Sequence, residues 1–414
     1  MTRGSGLLLG AVLAAAAPFA HANALAETEE ARVAGILQDT LVAHGKEVNR
    51  CFERALADTM DVAGKIELAV DVGPGGRVTK ASPALDDVKS PVLLACLEES
   101  AATWTLAGIE PGSSVILPLS FEGQAAQFSV KVKDAPEHGP PAPKGPKHGG
   151  APTPVPPFSV KLLVDEATMH ARQASLSQLT VAPANRIAMH KHPGAEALYV
   201  LQGHARILGP TGVNPEKLDE GMAILIPGGM PHAIENMGRQ SSAVLLQVFA
   251  PMGPERVYRD PKDEAGRAAF EVIRGAPPAA PAGAHFTVAG PASAAETLTV
   301  FGGKGKIKPL LEPAKTGSPA LYMGLLEAEP GAEVPRNVHQ QSAEILYVVA
   351  GAGEMTVGSE KVPFEAEEAL HIPENQPHAA KFGGSEMTVM VQIFAPAGPE
   401  QRYRQPPAAP QKKK

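Results

Sequence analysis

The sequence predicts a mainly β protein with two tandem β-barrels and a small N-terminal α+β domain. Three observations carry this prediction: an internal repeat, short apolar runs separated by Gly and Pro turns within each copy, and a helical pattern followed by strict alternation near the start. Of 414 residues, 44% are hydrophobic and 20% are charged, so most of the chain is expected to fold. The formal net charge is −7, which gives no sign of the basic face that nucleic-acid-binding proteins need.

Residues 1–22 have the pattern of an export signal. Arg3 supplies the positive end, a short apolar run follows, and Ala20-His21-Ala22 offers small residues at the cleavage spacing. The run is shorter than the ~20 apolar residues of a membrane span, although an uncleaved anchor is the alternative. We therefore expect an exported protein, periplasmic or extracellular, with no membrane span after signal cleavage.

The first predicted domain spans residues 28–133 and has the order helix, strand, strand, helix, strand (αββαβ). Apolar residues at helical spacing open it, and strict apolar–polar alternation over residues 65–72 then predicts a half-buried strand. A turn at residues 73–76 leads to a second strand. Pro91 begins the second helix, and residues 114–121 form the last strand.

The cysteines of the chain, Cys51 and Cys96, both lie in this first domain. An even pair within one small exported domain predicts a disulfide, and two buried free thiols are the alternative. The element order, with Gly64-Lys65-Ile66 and Gly75-Gly76-Arg77-Val78, resembles a TonB-like C-terminal domain, in the variant that carries paired helix cysteines. This resemblance implies a module that contacts a protein of the cell envelope.

Composition and the repeat divide the rest of the chain. Nine of the 24 residues from 134 to 157 are proline, which favours an extended spacer. The repeat has an offset of 148 positions between Glu196 and Glu344, and of 145 between Gln247 and Gln392. The predicted parts are a first barrel at residues 158–275, a short Ala- and Pro-rich linker at 276–284, a second barrel at 285–405 and a disordered tail at 406–414.

Paired motifs in the first copy carry the chemistry. They are His190-x-His192-x3-Glu196-x6-Gly203 and Gly221-x5-Pro227-x-Gly229-x2-His232-x3-Asn236. The two motifs resemble those of the cupin family, with Ala184 where one Gly is expected. The resemblance implies that both copies are cupin jelly-roll barrels and that the first holds a metal ion inside.

The residue types support a metal site independently of the family. Side chains alternate across a strand, so His190 and His192 share one face, while Glu196 and His232 come from other strands. Three imidazoles and one carboxylate suit a divalent transition metal ion, namely Mn, Fe, Cu, Ni or Zn. The alternative is a set of core histidines satisfied by hydrogen bonds.

The second copy departs from the motif, because Asn337 replaces the first histidine. His339, Glu344 and His378 alone still match an open iron(II) site of two histidines and one carboxylate. An altered metal site at these four positions and a metal-free structural barrel are both consistent with the sequence. Gln247 and Gln392 lie at matching points of apolar strands, so each is expected either to face a ligand or to be satisfied by backbone groups.

The sequence is consistent with two alternative functions. The first is a metal-dependent enzyme acting on a small molecule, because the cupin resemblance implies oxygenase, decarboxylase or isomerase chemistry. The second is a non-catalytic small-ligand-binding protein that docks to an envelope partner through its N-terminal module. The sequence identifies no general acid or base, so it does not decide whether the protein is an enzyme.

Overall fold

A computed structural model describes most of the chain. The described residues are 24–58, 62–121, 127–140, 156–291 and 296–404. The predicted signal, most of the proline-rich spacer and the predicted tail lie outside them. The chain divides into two compact units, residues 1–126 and 127–414. Among the described helices, none combines the length and the hydropathy that crossing a bilayer requires.

The N-terminal unit has the predicted element order. Its elements are α1 (Ala24–Asp58), β1 (Gly64–Val72), β2 (Val78–Asp86), α2 (Pro91–Ala101) and β3 (Ser114–Phe121), with a 3-10 turn at Pro74–Gly76 between β1 and β2. The strands form one antiparallel sheet in the order β2-β1-β3. The helix α2 begins at Pro91 because the Ser90 hydroxyl accepts a hydrogen bond from the Leu93 amide. The predicted disulfide between Cys51 of α1 and Cys96 of α2 is confirmed.

The first barrel consists of two antiparallel sheets. Its main elements are β6 (Phe158–Val164), α3 (Glu166–Met169), β7 (Ser175–Val181), β8 (Arg186–Lys191), β9 (Ala195–Gln202), β10 (His204–Leu208), β11 (Glu216–Asp219), β12 (Ala223–Ile226), β13 (His232–Asn236), β14 (Ala243–Ala250), α4 (Arg256–Arg259), α5 (Glu264–Ala269) and β15 (Glu271–Val272). One sheet has the order β11-β10-β13-β8-β15, and the core of the other is β12-β9-β14-β7-β6. Apolar side chains from both sheets fill the interior.

The second barrel repeats this plan. Its elements are β17 (Leu298–Val300), β18 (Gly305–Leu311), α6 (Pro313–Thr316), β19 (Tyr322–Ala328), β20 (Glu333–Asn337), β21 (Ala343–Ala350), β22 (Ala352–Val357), β23 (Glu360–Glu365), β24 (Glu368–Ile372), β25 (His378–Gly383) and β26 (Thr388–Ala395), with 3-10 turns at Phe301–Gly303 and Pro399–Arg404. Its sheets are β17-β18-β19-β26-β21-β24 and β20-β25-β22-β23. The predicted mainly β fold with two barrels is confirmed.

Three short strands, which the sequence analysis did not predict, pair outside the predicted parts of the chain in which they lie. The strand β4 (Ser129–Lys131), within the predicted first domain, pairs with β24 of the second barrel. The strand β5 (Glu137–His138), within the predicted spacer, pairs with β6, and β16 (Thr287–Ala289), within the predicted second barrel, pairs with β12 of the first. Each strand covers the open edge of a sheet, because unpaired backbone groups at such an edge favour pairing with any adjacent segment. Composition alone does not reveal this.

The two barrels form one compact unit rather than two separate globular parts. A continuous apolar cluster joins the outer face of β9 and β14, including Tyr199 and Val248, to the outer face of β21 and β26, including Ile345 and Val391. Alternation along these strands therefore places one set of side chains between the barrels and the other set inside them. Glu196 and Gln247 belong to the inner set of the first barrel, as do Glu344 and Gln392 in the second.

Candidate metal centre

The first site lies where the two sheets of the first barrel meet. His190 is in β8 and pairs directly with His232, the first residue of β13. His192 follows β8, and Glu196 comes from β9 of the opposite sheet. The turn before β13 requires glycine, because a Cβ on Gly228 would lie 2.1 Å from the Pro193 carbonyl oxygen.

The structure brings all four predicted ligands of the first barrel together. Their ligand atoms all lie within 4.8 Å of one another, and each residue is at most 3% exposed. The Glu196 Oε2 atom lies 3.0 Å from His192 Nε2 and 2.7 Å from His232 Nε2. The four side chains thus form one buried group with its polar atoms directed at a common point.

Backbone carbonyls orient the three imidazole rings in the same way. In each ring Nδ1 lies 2.8 Å from the carbonyl oxygen of the residue two positions away: His190 with Ala188, His192 with Gly194, and His232 with Met230. Each Nδ1–H therefore donates to the backbone, and the lone pair on each Nε2 faces the centre. This is the tautomer in which histidine binds a metal ion through Nε2.

The fit to a metal follows from the groups that meet at the centre. Nε2 of His190 has no hydrogen-bond partner among the described residues. In the Nδ1–H tautomer, the Nε2 atoms of His192 and His232 are hydrogen-bond acceptors, and so is the Glu196 carboxylate. Acceptors repel one another, so their close approach requires a shared cation or extra protons. A divalent ion satisfies all four groups at once, and the donor set is that of a transition-metal centre.

The pKa values of two ligands agree with this assignment. Burial lowers the pKa of His190 to about 3, and the neighbouring His232 lowers it as well, so His190 is neutral at pH 7. Burial raises the pKa of Glu196, but positive charge at the positions of His232 and His192 lowers it by more, so the pKa of Glu196 lies well below its ordinary value where a cation occupies this centre. A neutral imidazole and an ionised carboxylate are the forms that bind metal.

Gln247 positions the ligand carboxylate. Its Nε2 donates to Glu196 Oε1 at 2.7 Å, and its Oε1 accepts from the Ser177 hydroxyl at 3.3 Å. The Gln247 amide is therefore satisfied by side chains rather than by backbone groups. The Tyr258 hydroxyl lies 3.5 Å from the same Nε2.

Aromatic rings enclose the first site. Phe270, just after α5, stacks on His190 with ring centroids 4.4 Å apart and planes at 12°. Phe249 of β14 meets His192 edge-on at 5.1 Å. Sequence reasoning missed Phe270. Tyr258 could have been found from the sequence, because a tyrosine follows the Gly-Pro-Glu segment in both copies.

Three of the four predicted positions converge in the second barrel. The ligand atoms of His339, Glu344 and His378 lie within 4.8 Å of one another. Glu344 Oε2 is 3.3 Å from His339 Nε2 and 3.2 Å from His378 Nε2, while Glu344 Oε1 accepts from Gln392 Nε2 at 2.6 Å. Burial raises the pKa of Glu344, but the two histidines lower it by more. The pKa of Glu344 is therefore well below its ordinary value.

Asn337, the fourth predicted position, makes hydrogen bonds to other groups. Its Oδ1 accepts a hydrogen bond from Arg402 Nη1 at 2.5 Å, and its Nδ2 donates to the carbonyls of Pro335 and His378. The amide oxygen that would have to bind a metal is thus engaged by a guanidinium. Sequence reasoning missed the place of Arg402 beside the site.

Comparisons with known proteins agree with the fold. A model described as a cupin domain matches residues 177–249 and 324–394. The polyketide synthase CurC of Streptomyces cyaneus is 32% identical over 96 residues, which are 23% of this chain and 62% of that protein, less than two thirds of its length. Protein SchB of Streptomyces halstedii is 28% identical over 95 residues, 23% of this chain and 69% of that protein.

Solved structures with similarity to the chain include oxalate decarboxylase from Bacillus subtilis. Its structure at pH 4.6 has a TM-score of 0.48 and 15% identity, over 66% of this chain and 77% of that chain. A second structure of that enzyme, from work on its Mn(II) centres, has a TM-score of 0.48 and 16% identity, over 66% and 78% of the two chains. The two matches to the cupin domain model each fall within one of the two barrels.

Proposed function

We propose that this protein is an exported bicupin metalloprotein that acts on a small molecule at a divalent transition metal ion in its first barrel. The ion is held by His190, His192, Glu196 and His232. The observation that carries the proposal is the common orientation of three imidazoles, each with Nδ1 on a backbone carbonyl and Nε2 directed at one buried carboxylate. Four converging acceptors without a cation would be costly to bury.

When bound, such an ion supplies Lewis-acid chemistry to an oxygen atom of the substrate, which suits an oxygenase, decarboxylase or isomerase. The protein's own groups prepare the site. Gln247 holds Glu196 as a carboxylate through its 2.7 Å hydrogen bond, and Phe249 and Phe270 keep the rings of His192 and His190 away from water. These contacts fix the ligands before substrate arrives.

A second function, small-ligand binding without catalysis, is favoured by the enclosure of the site. All four ligands are at most 3% exposed, and Phe270 lies flat on His190. A substrate needs access to the ion, so such a closed site suits a protein whose small ligand binds without contacting the metal. In this version the N-terminal domain, through its likeness to TonB-like domains, docks to an envelope protein.

Elemental analysis of the purified full-length protein tests the metal. We expect about one equivalent of a transition metal in the first barrel and its loss in His232→Ala. The matched control is His204→Ala, because His204 lies on the surface, 2.8 Å from Asp219. A metal content near zero in the wild type, or an equal content in both variants, would contradict the proposal.

Chelation separates the two functions. If the protein is an enzyme, removing the metal or replacing His192 by Ala should abolish turnover in a screen of small carbonyl and carboxylate compounds. If it is a binder, a ligand found by thermal shift should still bind after chelation. Export is tested by fractionating cells that express the chain with and without residues 1–22, and retention of the intact chain in the cytoplasm would refute it.

A further inference from the structure

The second barrel differs from the first at two positions that contact each other. The β-sheet register pairs Asn337 with His378 in the second barrel, as it pairs His190 with His232 in the first. After the shared Gly-Pro-Glu segment, Arg402 stands where the first barrel has Val257. A histidine has thus been exchanged for asparagine and a valine for arginine, and Arg402 Nη1 donates to Asn337 Oδ1.

Arg402 is tied to the carboxylate of the site through two side chains. Its Nη2 donates to the Tyr403 hydroxyl at 3.1 Å, and that hydroxyl also accepts from Gln392 Nε2 at 2.9 Å. The same Gln392 nitrogen donates to Glu344 Oε1 at 2.6 Å. The guanidinium carbon also lies 5.9 Å from the centre of the Phe394 ring, which forms a wall of the site against His339.

This arrangement gives the second barrel a fixed positive charge. The first barrel has a buried carboxylate with no cationic side chain at the matching position, because Val257 is uncharged. In the second barrel, the Arg402 guanidinium bonds to Asn337, the residue paired with His378 in the sheet. A divalent ion there would be repelled by the guanidinium.

The ligand set is also weaker in the second barrel. One imidazole is missing, and the oxygen of Asn337 is engaged by Arg402. Among the described residues, no backbone carbonyl fixes Nδ1 of His339, so this ring can carry its proton on Nε2 and donate to Glu344 Oε2 at 3.3 Å. A hydrogen bond then satisfies a pair that in the first barrel requires a cation.

We propose that Arg402 and Asn337 make the second barrel a metal-free site in which the guanidinium is the resident cation. The three converging residues His339, Glu344 and His378 therefore do not hold a transition metal in this protein. Of the two barrels, the first alone then binds a metal, and two substitutions account for the difference. The second barrel would lack a metal whether or not the first barrel is catalytic.

The test exchanges the two positions for their counterparts in the first barrel. The full-length wild type and the Asn337→His/Arg402→Val variant are stripped with chelator and dialysed against Mn²⁺, or in a separate series Zn²⁺, and bound metal is counted per chain. We expect about one equivalent in the wild type and about two in the double variant. Asn337→His alone should gain little, because Arg402 remains.

Two further variants assign the ions to barrels. Adding His232→Ala to the double variant should leave about one equivalent, now in the second barrel. His378→Ala in the otherwise wild-type chain should not change the metal content. Two equivalents in the wild type, metal loss in His378→Ala, or no gain in a double variant that melts like the wild type would each overturn the inference. An empty first barrel in the wild type would instead refute the proposed function. The inference about the second barrel would then be tested by whether the double variant binds one more metal ion per chain than the wild type.

Discussion

Loss of the Cys51–Cys96 disulfide should destabilise the N-terminal domain by several kcal/mol. The bond joins α1 to α2 and closes a loop of 45 residues. In the chain-entropy model, a loop of this length lowers the entropy of the unfolded chain by roughly 13 cal/mol/K, or about 4 kcal/mol at 25 °C. We therefore expect the Cys51→Ala/Cys96→Ala variant to lose about this much free energy of unfolding.

The chain has a natural probe for this measurement. Trp104 is its one tryptophan and lies in the N-terminal domain, where it is 1% exposed. Its indole Nε1 donates to Glu47 Oε2 at 2.8 Å, and its ring stacks on His44. Trp104 fluorescence during urea unfolding therefore reports on this domain, and the midpoint should fall by roughly 2–4 M for a domain of this size.

Reduction provides the matched control for the disulfide. Wild-type protein in reductant keeps both sulfur atoms, so its loss of stability isolates the cross-link from any effect of truncating Cys51, which is buried in the core. The reductant should leave the double variant unchanged. A loss below about 1 kcal/mol, or an equal effect of reductant on the double variant, would refute the entropic reasoning.

Three other predictions concern the barrels. Gly228→Ala places a Cβ against the Pro193 carbonyl and should displace the turn before β13, which elemental analysis would detect as lost metal. Gln247→Leu removes a donor to the ligand carboxylate and should weaken metal binding ~10–100-fold in dialysis, while Gln392→Leu in the second barrel should not change it. Burial lowers the pKa of His371 to about 4, so the unfolded chain binds more protons than the folded one between pH 4 and 6.5. Lowering the pH from 7 to 4 should therefore reduce the free energy of unfolding of the wild type. We expect this reduction to exceed that of the His371→Leu variant by up to ~3 kcal/mol, as measured by urea unfolding at each pH.

The first site could be predicted from sequence because its determinants are local. The spacing of His190 and His192 fixes a common face through the two-residue period of a strand, and the Pro-Gly-Gly turn leads directly into His232. The replacement of the first histidine by Asn337 in the second copy could also be read from the sequence, because it lies within the same local motif. What the sequence could not show was the partner of Asn337, because Arg402 lies 65 residues later and reaches the site only through tertiary packing.

The short strands β4, β5 and β16 could not be predicted from the sequence for a related reason. The strand β5 has two residues and lies at the start of a proline-rich stretch, so neither its length nor its composition indicates a strand. The strands β4 and β16 have three residues each. Their pairing is decided by the free edges of β6, β12 and β24, which exist only after both barrels have formed.

The two barrels share a buried carboxylate held by a glutamine, whose amide also lies against a tyrosine hydroxyl. Glu196 and Gln247 in the first barrel correspond to Glu344 and Gln392 in the second, and each glutamine donates to its glutamate. A carboxylate at this depth requires positive charge nearby, because its desolvation is otherwise uncompensated. The first barrel has Val257 at the matching position, so an ion held by its three histidines would supply that charge. The second barrel has Arg402 there, linked to Glu344 through Tyr403 and Gln392, and on our proposal the same scaffold serves once as a metal site and once as a metal-free site.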